Sequence, residues 1–221
     1  MGIFRTLVVG LTIMMATGAI AGADELAGLV SVKNSRLSEV LVKPGLDLSA
    51  YSSVKTQAAE FEYRDVAEQR NPQASRTGRV AYPMSESTRK EFEALVTEVF
   101  DKELPTSKHF PEVSEAGPGV LLLRGGFFDI VSFVPPDRAA REAVFLSQIG
   151  SAILYLEVRD SVSGELLVRG IDRRAVEPNR ATLKVNSRPV NKQETKRVIK
   201  RWAKILVNGL DELYESGPVE P

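Results

Sequence analysis

Two runs of residues separated by a turn sequence restrict this chain more than any other feature. The two runs lie within Ser151–Glu177. The first run alternates as a strand with one buried face does, and the second run, Glu165–Val176, returns as its partner strand. The apolar members are Ala152, Leu154, Leu156 and Val158, and they alternate with Ile153, Tyr155, Glu157 and Arg159. The segment from Asp160 to Gly164 has turn chemistry. The pattern predicts an antiparallel hairpin, with Glu157 and Arg159 directed outward.

Further strands are predicted from short apolar segments bounded by turn residues. They are Ser38–Lys43, Ser53–Phe61 and Val120–Val134, with a shorter candidate at His109–Ser114. The pair Gly125-Gly126 inside the longest of them predicts a bulge or bend. Tyr63–Pro83 shows no apolar period and is predicted to be a long exposed loop.

Two amphipathic segments predict helices. The first is capped by Ser85 and ends near Pro105. Its apolar face contains Phe92, Leu95, Val96, Val99 and Phe100. The second is predicted over Lys192–Glu215, with Asn191 as its cap and Trp202 in its apolar arc. Because strands outnumber helices, the predicted fold class is α+β: a mixed, mainly antiparallel sheet with two long helices packed on one face.

The first 23 residues have the three parts of a secretory signal peptide. Arg5 supplies the positive start, Thr6–Ile20 is an apolar run, and Ala21-Gly22-Ala23 is a cleavage sequence. The apolar run is shorter than the roughly 20 residues that a membrane-spanning helix needs. We therefore expect export, cleavage after Ala23 and a soluble periplasmic protein with no stable membrane anchor.

The chain contains no cysteine. In an exported protein this excludes disulfides, thiolate nucleophiles and zinc–thiolate sites, so stability must come from packing. It also excludes the acylated cysteine through which a bacterial lipoprotein is anchored. The absence of this cysteine favours a protein that is released from the membrane after cleavage.

Several motifs together suggest a family. They are Lys43-Pro44-Gly45 with Asp47 and Tyr51, the strand Gly150–Asp160 with the turn that follows it, and Trp202 in a closing amphipathic helix. In these motifs the chain resembles a family of bacterial envelope lipoproteins classified as a domain of unknown function, of the 3313 type. The resemblance covers Arg36–Leu213 and implies an envelope location and an α+β fold. It implies no activity, cofactor or catalytic residue, and this chain departs from the family by lacking the lipoprotein cysteine.

Few residues offer catalytic chemistry. His109 is the only histidine and lies in a turn-rich stretch, where a surface or hydrogen-bonded role is much more common than catalysis. One histidine without cysteine cannot supply the usual zinc ligands, and no phosphate-loop spacing occurs, so we expect no metal and no cofactor. The carboxylates of Asp129, Glu157 and Asp160 lie on or near strands that are candidates to be neighbours.

Basic residues are concentrated towards the C-terminus, although the net charge of the chain is zero. Arg169–Lys204 contains twelve basic and three acidic residues. One face of the last predicted helix carries Lys196, Arg197, Lys200, Arg201 and Lys204. This face can attract an acidic envelope component or an acidic partner protein, or be a solvated surface. No nucleic acid partner is expected, because no aromatic residues interleave with these charges.

The predicted domain organisation is a signal peptide at 1–23, a polar lead at 24–35, one domain at 36–215 and a disordered tail at 216–221. The leading functional hypothesis is a non-catalytic periplasmic protein that binds or supports another envelope component. A carboxylate-dependent envelope hydrolase remains an alternative, and it requires two carboxylates roughly 5 to 9.5 Å apart. A periplasmic small-ligand carrier is the other alternative, and it requires an enclosed apolar pocket.

The cleavage sequence predicts where the exported protein begins. N-terminal sequencing of the protein recovered from the soluble periplasmic fraction should start at or near Asp24, because Ala21-Gly22-Ala23 is cleavable. Recovery of the chain in the membrane fraction with Met1 intact would contradict this prediction.

Overall fold

The computed structural model describes residues 23–33, 35–67, 80–135, 147–177 and 187–219. The strands are β1 (Val30–Ser31), β2 (Glu39–Val42), β3 (Ser53–Thr56), β4 (Glu60–Tyr63), β5 (Val120–Ser132), β6 (Gly150–Asp160) and β7 (Leu166–Val176). The helices are α1 (Ala23–Leu26), α2 (Glu86–Glu103) and α3 (Arg188–Ser216). Nearly all of the predicted signal peptide, and residues 68–79 of the predicted loop, lie outside the described residues.

Within the described residues the strands form one seven-stranded sheet. Its order is β1-β2-β7-β6-β5-β3, and β4 also pairs with β5. β3 and β4 run parallel to β5, and the other pairs are antiparallel. Together with the two long helices, this confirms the predicted α+β class with a mixed, mainly antiparallel sheet.

The predicted hairpin is formed by β6 and β7. The Asp160 carboxylate accepts hydrogen bonds from the backbone N–H groups of Val162 and Ser163, at 2.9 and 2.7 Å. Gly164 completes the turn with a φ of 74°, a conformation that a glycine adopts without steric cost. The register then shifts by one residue between Val158 and Arg159, which is a bulge beside the turn.

The core lies between the sheet and the two long helices, with Phe127 of β5 at its centre. The Phe127 ring lies 5.9 Å from that of Phe92 and 6.2 Å from that of Phe100, both on α2. It lies 5.6 Å from the ring of Trp202 on α3. Trp202 is 2 % exposed, as the apolar arc predicts, and its Nε1 donates to Asp172 Oδ2 at 2.8 Å. Both helices therefore pack on the same face of the sheet.

The start of α2 follows the prediction from sequence. The Ser85 hydroxyl accepts a hydrogen bond from the backbone N–H of Thr88, which satisfies one of the free donors of the first turn. Leu95, Val96 and Val99 are buried on the predicted face. A short 3-10 turn at Leu104–Thr106 closes the helix.

The predicted start of α3 at Asn191 is wrong. The helix begins at Arg188, with Ser187 in the extended backbone conformation of an N-cap. Pro189 falls in the first turn, where its missing N–H costs no helical hydrogen bond and its fixed φ suits a helix. In α3, Pro189 therefore indicates where the helix begins, whereas Asn191 does not.

The bulge predicted as one possibility at Gly125-Gly126 does not occur in the pairing of β5 with β6. The β5–β6 register continues without a shift from Leu121 to Phe128. A Cβ on Gly125 would lie 2.5 Å from the carbonyl oxygen of Tyr155, and one on Gly126 would lie 2.6 Å from that of Glu60. The two glycines therefore permit neighbouring backbones to approach closely.

The segment Ser53–Phe61 forms two strands rather than one. Thr56 pairs with Leu123 and Glu60 pairs with Gly126, so three residues of this segment face two of β5. The extra residue interrupts the ladder as a bulge does. The predicted strand at His109–Ser114 is reduced to an isolated bridge between Glu112 and Val54.

Both ends of the predicted domain form backbone hydrogen bonds with the rest of the chain. The polar lead supplies β1, which pairs with β2. The predicted disordered tail is hydrogen-bonded as far as Val219, whose backbone bonds to Gly45 at 2.8 Å and to Leu46 at 2.9 Å. A terminal segment pairs in this way when a nearby turn leaves backbone groups free.

Burial of Trp202 predicts a large energetic effect of truncation. Trp202→Ala should lower the free energy of unfolding by about 3 to 5 kcal/mol, because it leaves a cavity against Phe127. Trp202→Phe should cost less, since it keeps a ring and loses the hydrogen bond to Asp172. Chemical denaturation measures both, with the exposed Val162→Ala as a control expected within about 0.5 kcal/mol. A loss below about 1 kcal/mol for Trp202→Ala would contradict this packing.

Candidate functional site

The face of the sheet opposite α2 and α3 carries most of the charged residues of the central strands. We call it the outer face. The strand register arranges it in three rows: Arg124, Glu157 and Arg169; Gly126, Tyr155 and Ile171; Phe128, Ile153 and Arg173. Glu157 and Arg159 belong to this face, as the alternation predicts, but they are only 0 % and 7 % exposed. Neighbouring side chains cover them, which the alternation alone does not predict.

The Glu157 carboxylate is the centre of a network of ion pairs. Arg159 Nε lies 2.8 Å from Glu157 Oε2, the Tyr155 hydroxyl donates to Glu157 Oε1, and Arg124 Nη1 lies 3.9 Å away. The Arg159 guanidinium also contacts Glu25 Oε2 at 2.9 Å. The hydrogen bond to Glu157 raises the pKa of Arg159, and the one from Arg159 lowers the pKa of Glu25. These charge-assisted bonds offset the cost of burying the charges.

Asp129 forms a second cluster at the other end of the outer face. It has a φ of 51°, and the β5–β6 register shifts at this position. Its carboxylate accepts hydrogen bonds from Arg64 at 2.6 and 2.7 Å and from Arg173 at 2.8 Å. The hydrogen bond from Arg64 is the main reason that the pKa of Asp129 falls to about 2. The bulge thus directs Asp129 to the arginines of the outer face.

The three carboxylates that the sequence offers for hydrolysis do not form a pair. Ile153, the partner of Phe128 beside Asp129, is four residues from Glu157 along β6, which is about 13 Å of strand. This backbone separation is larger than the roughly 5 to 9.5 Å between the carboxyl groups of glycosidases. The two carboxylates are also bonded to different arginines, Arg64 for Asp129 and Arg159 for Glu157. Asp160 is at the end of β6 and is bonded to the hairpin turn and to the Tyr51 hydroxyl.

The basic face of α3, defined as Lys196, Arg197, Lys200, Arg201 and Lys204, is largely paired within the protein. Lys196 lies 2.9 Å from Glu98, Lys200 lies 2.9 Å from Glu103, and Arg197 lies 2.9 Å from Glu194. Arg201 and Lys204 are exposed and make no ion pair within the described residues. The carboxylates of α2 therefore neutralise much of the charge that the sequence places on one helix face.

His109 is held by its neighbours at the C-terminal end of α3. Its ring stacks on that of Tyr214 at 4.0 Å, and its Nε2 lies 3.4 Å from Glu215 Oε1. These contacts match the hydrogen-bonded role expected from sequence. The described residues contain no group of three or more His, Cys, Asp or Glu placed to hold a metal ion. Nor is any described helix long and apolar enough to cross a membrane.

A small cavity of about 120 Å³ lies between α2 and the centre of β5. Phe100, Leu104 and Leu156 contribute apolar walls, and Gln57 and Asp101 lie at its polar part. It opens to solvent and is smaller than the roughly 300 to 1,000 Å³ of typical ligand pockets. The cavity therefore lacks the enclosure that the small-ligand carrier requires.

Three outer-face residues, Arg124, Tyr155 and Arg169, were not singled out from the sequence. Charged or phenolic side chains inside strands as apolar as VLLLRGGFF, AILYLEVR and LLVRGI are the signal that could have found them. A long charged side chain in such a strand requires a partner on the same face. The strand register supplies those partners, and register could not be derived from the sequence to one residue.

No family model matches the sequence, and the curated proteins give no significant match. Similar solved structures include the PelC dodecamer from Paraburkholderia phytofirmans, at 9 % identity and a TM-score of 0.34, covering 76 % of this chain and 94 % of that one. A homologue of the neuraminyllactose-binding hemagglutinin from Helicobacter pylori has 15 % identity and a TM-score of 0.39, covering 78 % and 94 %. Protein XCC0632 from Xanthomonas campestris, of family DUF330, has 8 % identity and a TM-score of 0.41, covering 78 % and 89 %. The similar structures thus include a protein from a family of unknown function, whereas the resemblance to the 3313-type family is not confirmed. Similarity at this level assigns no function.

The ion pairs of Asp129 predict a loss of stability in acid. Its folded pKa is about 2 and the usual value is about 3.9, so its stabilising contribution is complete above about pH 4 and disappears as the pH falls towards 2. Unfolding free energies of the parent protein and of Asp129→Asn should therefore differ most near pH 6 and converge towards pH 2. A difference that stays constant over this range would contradict the assignment.

The pairing of Lys200 predicts unequal effects of charge reversal on α3. Lys200→Glu should lower the unfolding free energy by about 1 to 2 kcal/mol, because it places a carboxylate against the nearly buried Glu103. Lys204→Glu is the matched control and should change stability by less than about 0.5 kcal/mol. Thermal or chemical denaturation compares the two. Equal effects would show that Lys200 is not paired.

Proposed function

We propose that the chain is an exported, non-catalytic protein of the bacterial envelope that binds another envelope component through the outer face of its sheet. The observation that carries this proposal is the burial of Glu157 in a network with Arg159 and Arg124. This network lies on the face that α2 and α3 leave free. Export rests on the signal-peptide sequence at 1–23.

Energetics supports a role for this network beyond stability. Removing two charges from water costs several kcal/mol per ion, and packed apolar residues of similar volume are often as stable or more stable. An apolar outer face would therefore hold the sheet equally well. Retaining a buried carboxylate between arginines is expected where the face must recognise a polar partner.

The basic face of α3 is the weaker candidate for the same role. Lys196, Arg197 and Lys200 each have a carboxylate partner at 2.9 Å within the protein. An external anion would have to displace those carboxylates. Only Arg201 and Lys204 of the predicted set are exposed without an ion pair in the described part of the chain.

Hydrolysis is disfavoured by the state of the candidate carboxylates. Asp129 is bound by two arginines, and Glu157 is bound by Arg159 and Tyr155. A general acid must retain a proton near neutral pH, and paired arginines act against protonation. The pKa of Asp129, at about 2, is consistent with a permanently ionised structural group.

Site-specific photo-crosslinking in the periplasm tests this proposal. A photoreactive phenylalanine analogue replaces Ile171 on the outer face or Arg201 on α3, both of which lie outside the Glu157 network. We expect a crosslinked envelope component at position 171 and none, or much less, at position 201. Crosslinks confined to position 201, or no adduct at either position in correctly folded protein, would overturn the proposal.

A further inference from the structure

The arginines around Glu157 differ in their pairing. Arg159 is shared between Glu157 and Glu25, and Arg124 lies 3.9 Å from Glu157. Arg169, on the opposite side of Glu157 in the same row, has no ion pair within the described residues. Its Nε is buried and makes no hydrogen bond there. In the described part of the chain, Arg169 is therefore a cation of the outer face without an anion.

Arg169 has a planar group of N–H donors and a neighbouring aromatic ring. Its guanidinium carbon lies 5.6 Å from the centre of the Tyr155 ring, within the range of a cation–π contact. The N–H donors of a guanidinium lie in its plane and match the two oxygens of a carboxylate or phosphate. Arg169 therefore contacts Tyr155 and has no oxyanion partner among the described residues.

Beside Arg169 the outer face is apolar. Ile171, Ile153 and Phe128 are half-buried and follow Arg169 in the next two rows, up to the Asp129 cluster. This part of the outer face spans four residues along a strand and three strands across, about 13 by 14 Å. Its area is therefore on the order of 180 Å². A stable protein interface buries about 800 Å² on each partner. The strip thus suits a small molecule better than a protein.

We infer that the outer face binds a small amphipathic anion, whose carboxylate or phosphate group pairs with Arg169 while its apolar chain covers Ile171, Ile153 and Phe128. This inference rests on the proposed function and identifies the class of component that is bound. Glu157 does not repel the anion strongly, because Arg159 and Tyr155 already bind its carboxylate oxygens. The charge facing the ligand is that of Arg169, with Arg124 across the row.

Isothermal titration of the purified protein with four probes tests the inference. Laurate and dodecyl phosphate, kept below their micellar concentrations, carry both an alkyl chain and an anionic group. Dodecyl maltoside carries the alkyl chain without a charge, and inorganic phosphate carries the anionic group without an alkyl chain. We expect the first two probes to bind at least tenfold more tightly than the other two, and the better of the first two distinguishes a carboxylate from a phosphate ligand.

Variants test the assigned residue. Arg169→Gln should weaken the binding of the anionic amphiphile at least tenfold, because it removes a charge-assisted pair. Arg169→Lys should weaken binding less, since it keeps the positive charge but loses the paired N–H donors of the guanidinium group. The control Arg201→Gln, on α3, should bind like the parent, and thermal denaturation verifies that each variant is folded.

Three results would overturn the inference. They are no binding of either anionic amphiphile, equal affinity of Arg169→Gln and the parent protein, or equal affinity for inorganic phosphate and dodecyl phosphate. A protein crosslinked at position 171, together with no amphiphile binding, would overturn this inference and leave the proposed function intact. Absence of any crosslink at that position would remove both.

Discussion

The fold depends on the way that Trp202 is held between α3 and the sheet. Its ring packs against Phe127, and its Nε1 donates to the buried carboxylate of Asp172 on β7. The same carboxylate accepts hydrogen bonds from the backbone N–H and hydroxyl of Ser38, next to β2. One buried anion thereby connects a helix, a central strand and the start of β2. Because a buried carboxylate without these donors would be costly, the three elements stabilise one another's positions.

This arrangement makes the two faces of the sheet chemically different. The face beneath α2 and α3 holds the aromatic core around Phe127. A polar group in this core, such as the Asp172 carboxylate, is hydrogen-bonded. The opposite face carries the arginines and carboxylates of β5, β6 and β7, and the strand register sets which of them are neighbours. Two clusters result, one around Glu157 and one around Asp129, with an apolar strip between them. A face of this composition is suited to recognising a ligand that has both charged and apolar parts.

Features set by neighbouring residues could be predicted from the sequence, and features set by distant residues could not. The Ser85 cap, the hairpin turn with Gly164 and the burial of Trp202 follow from local patterns, and all three are confirmed. The roles of Gly125 and Gly126 depend on how closely β6 and β4 approach, which is not encoded locally. In the same way, the alternation in β6 predicts the direction of Glu157 but not its burial. The pairing of Lys200 with Glu103 joins residues far apart in the chain, so the basic face of α3 looked more available in the sequence than it is.

The central claim is that the outer face, rather than the basic face of α3, contacts the partner. The most direct measurement is an NMR titration of isotope-labelled protein with solubilised envelope components. We expect backbone amide signals of Tyr155, Ile171 and their neighbours on β6 and β7 to shift, while those of Arg201 and Lys204 do not. Shifts confined to α3 would show that the partner binds the basic face of α3 instead.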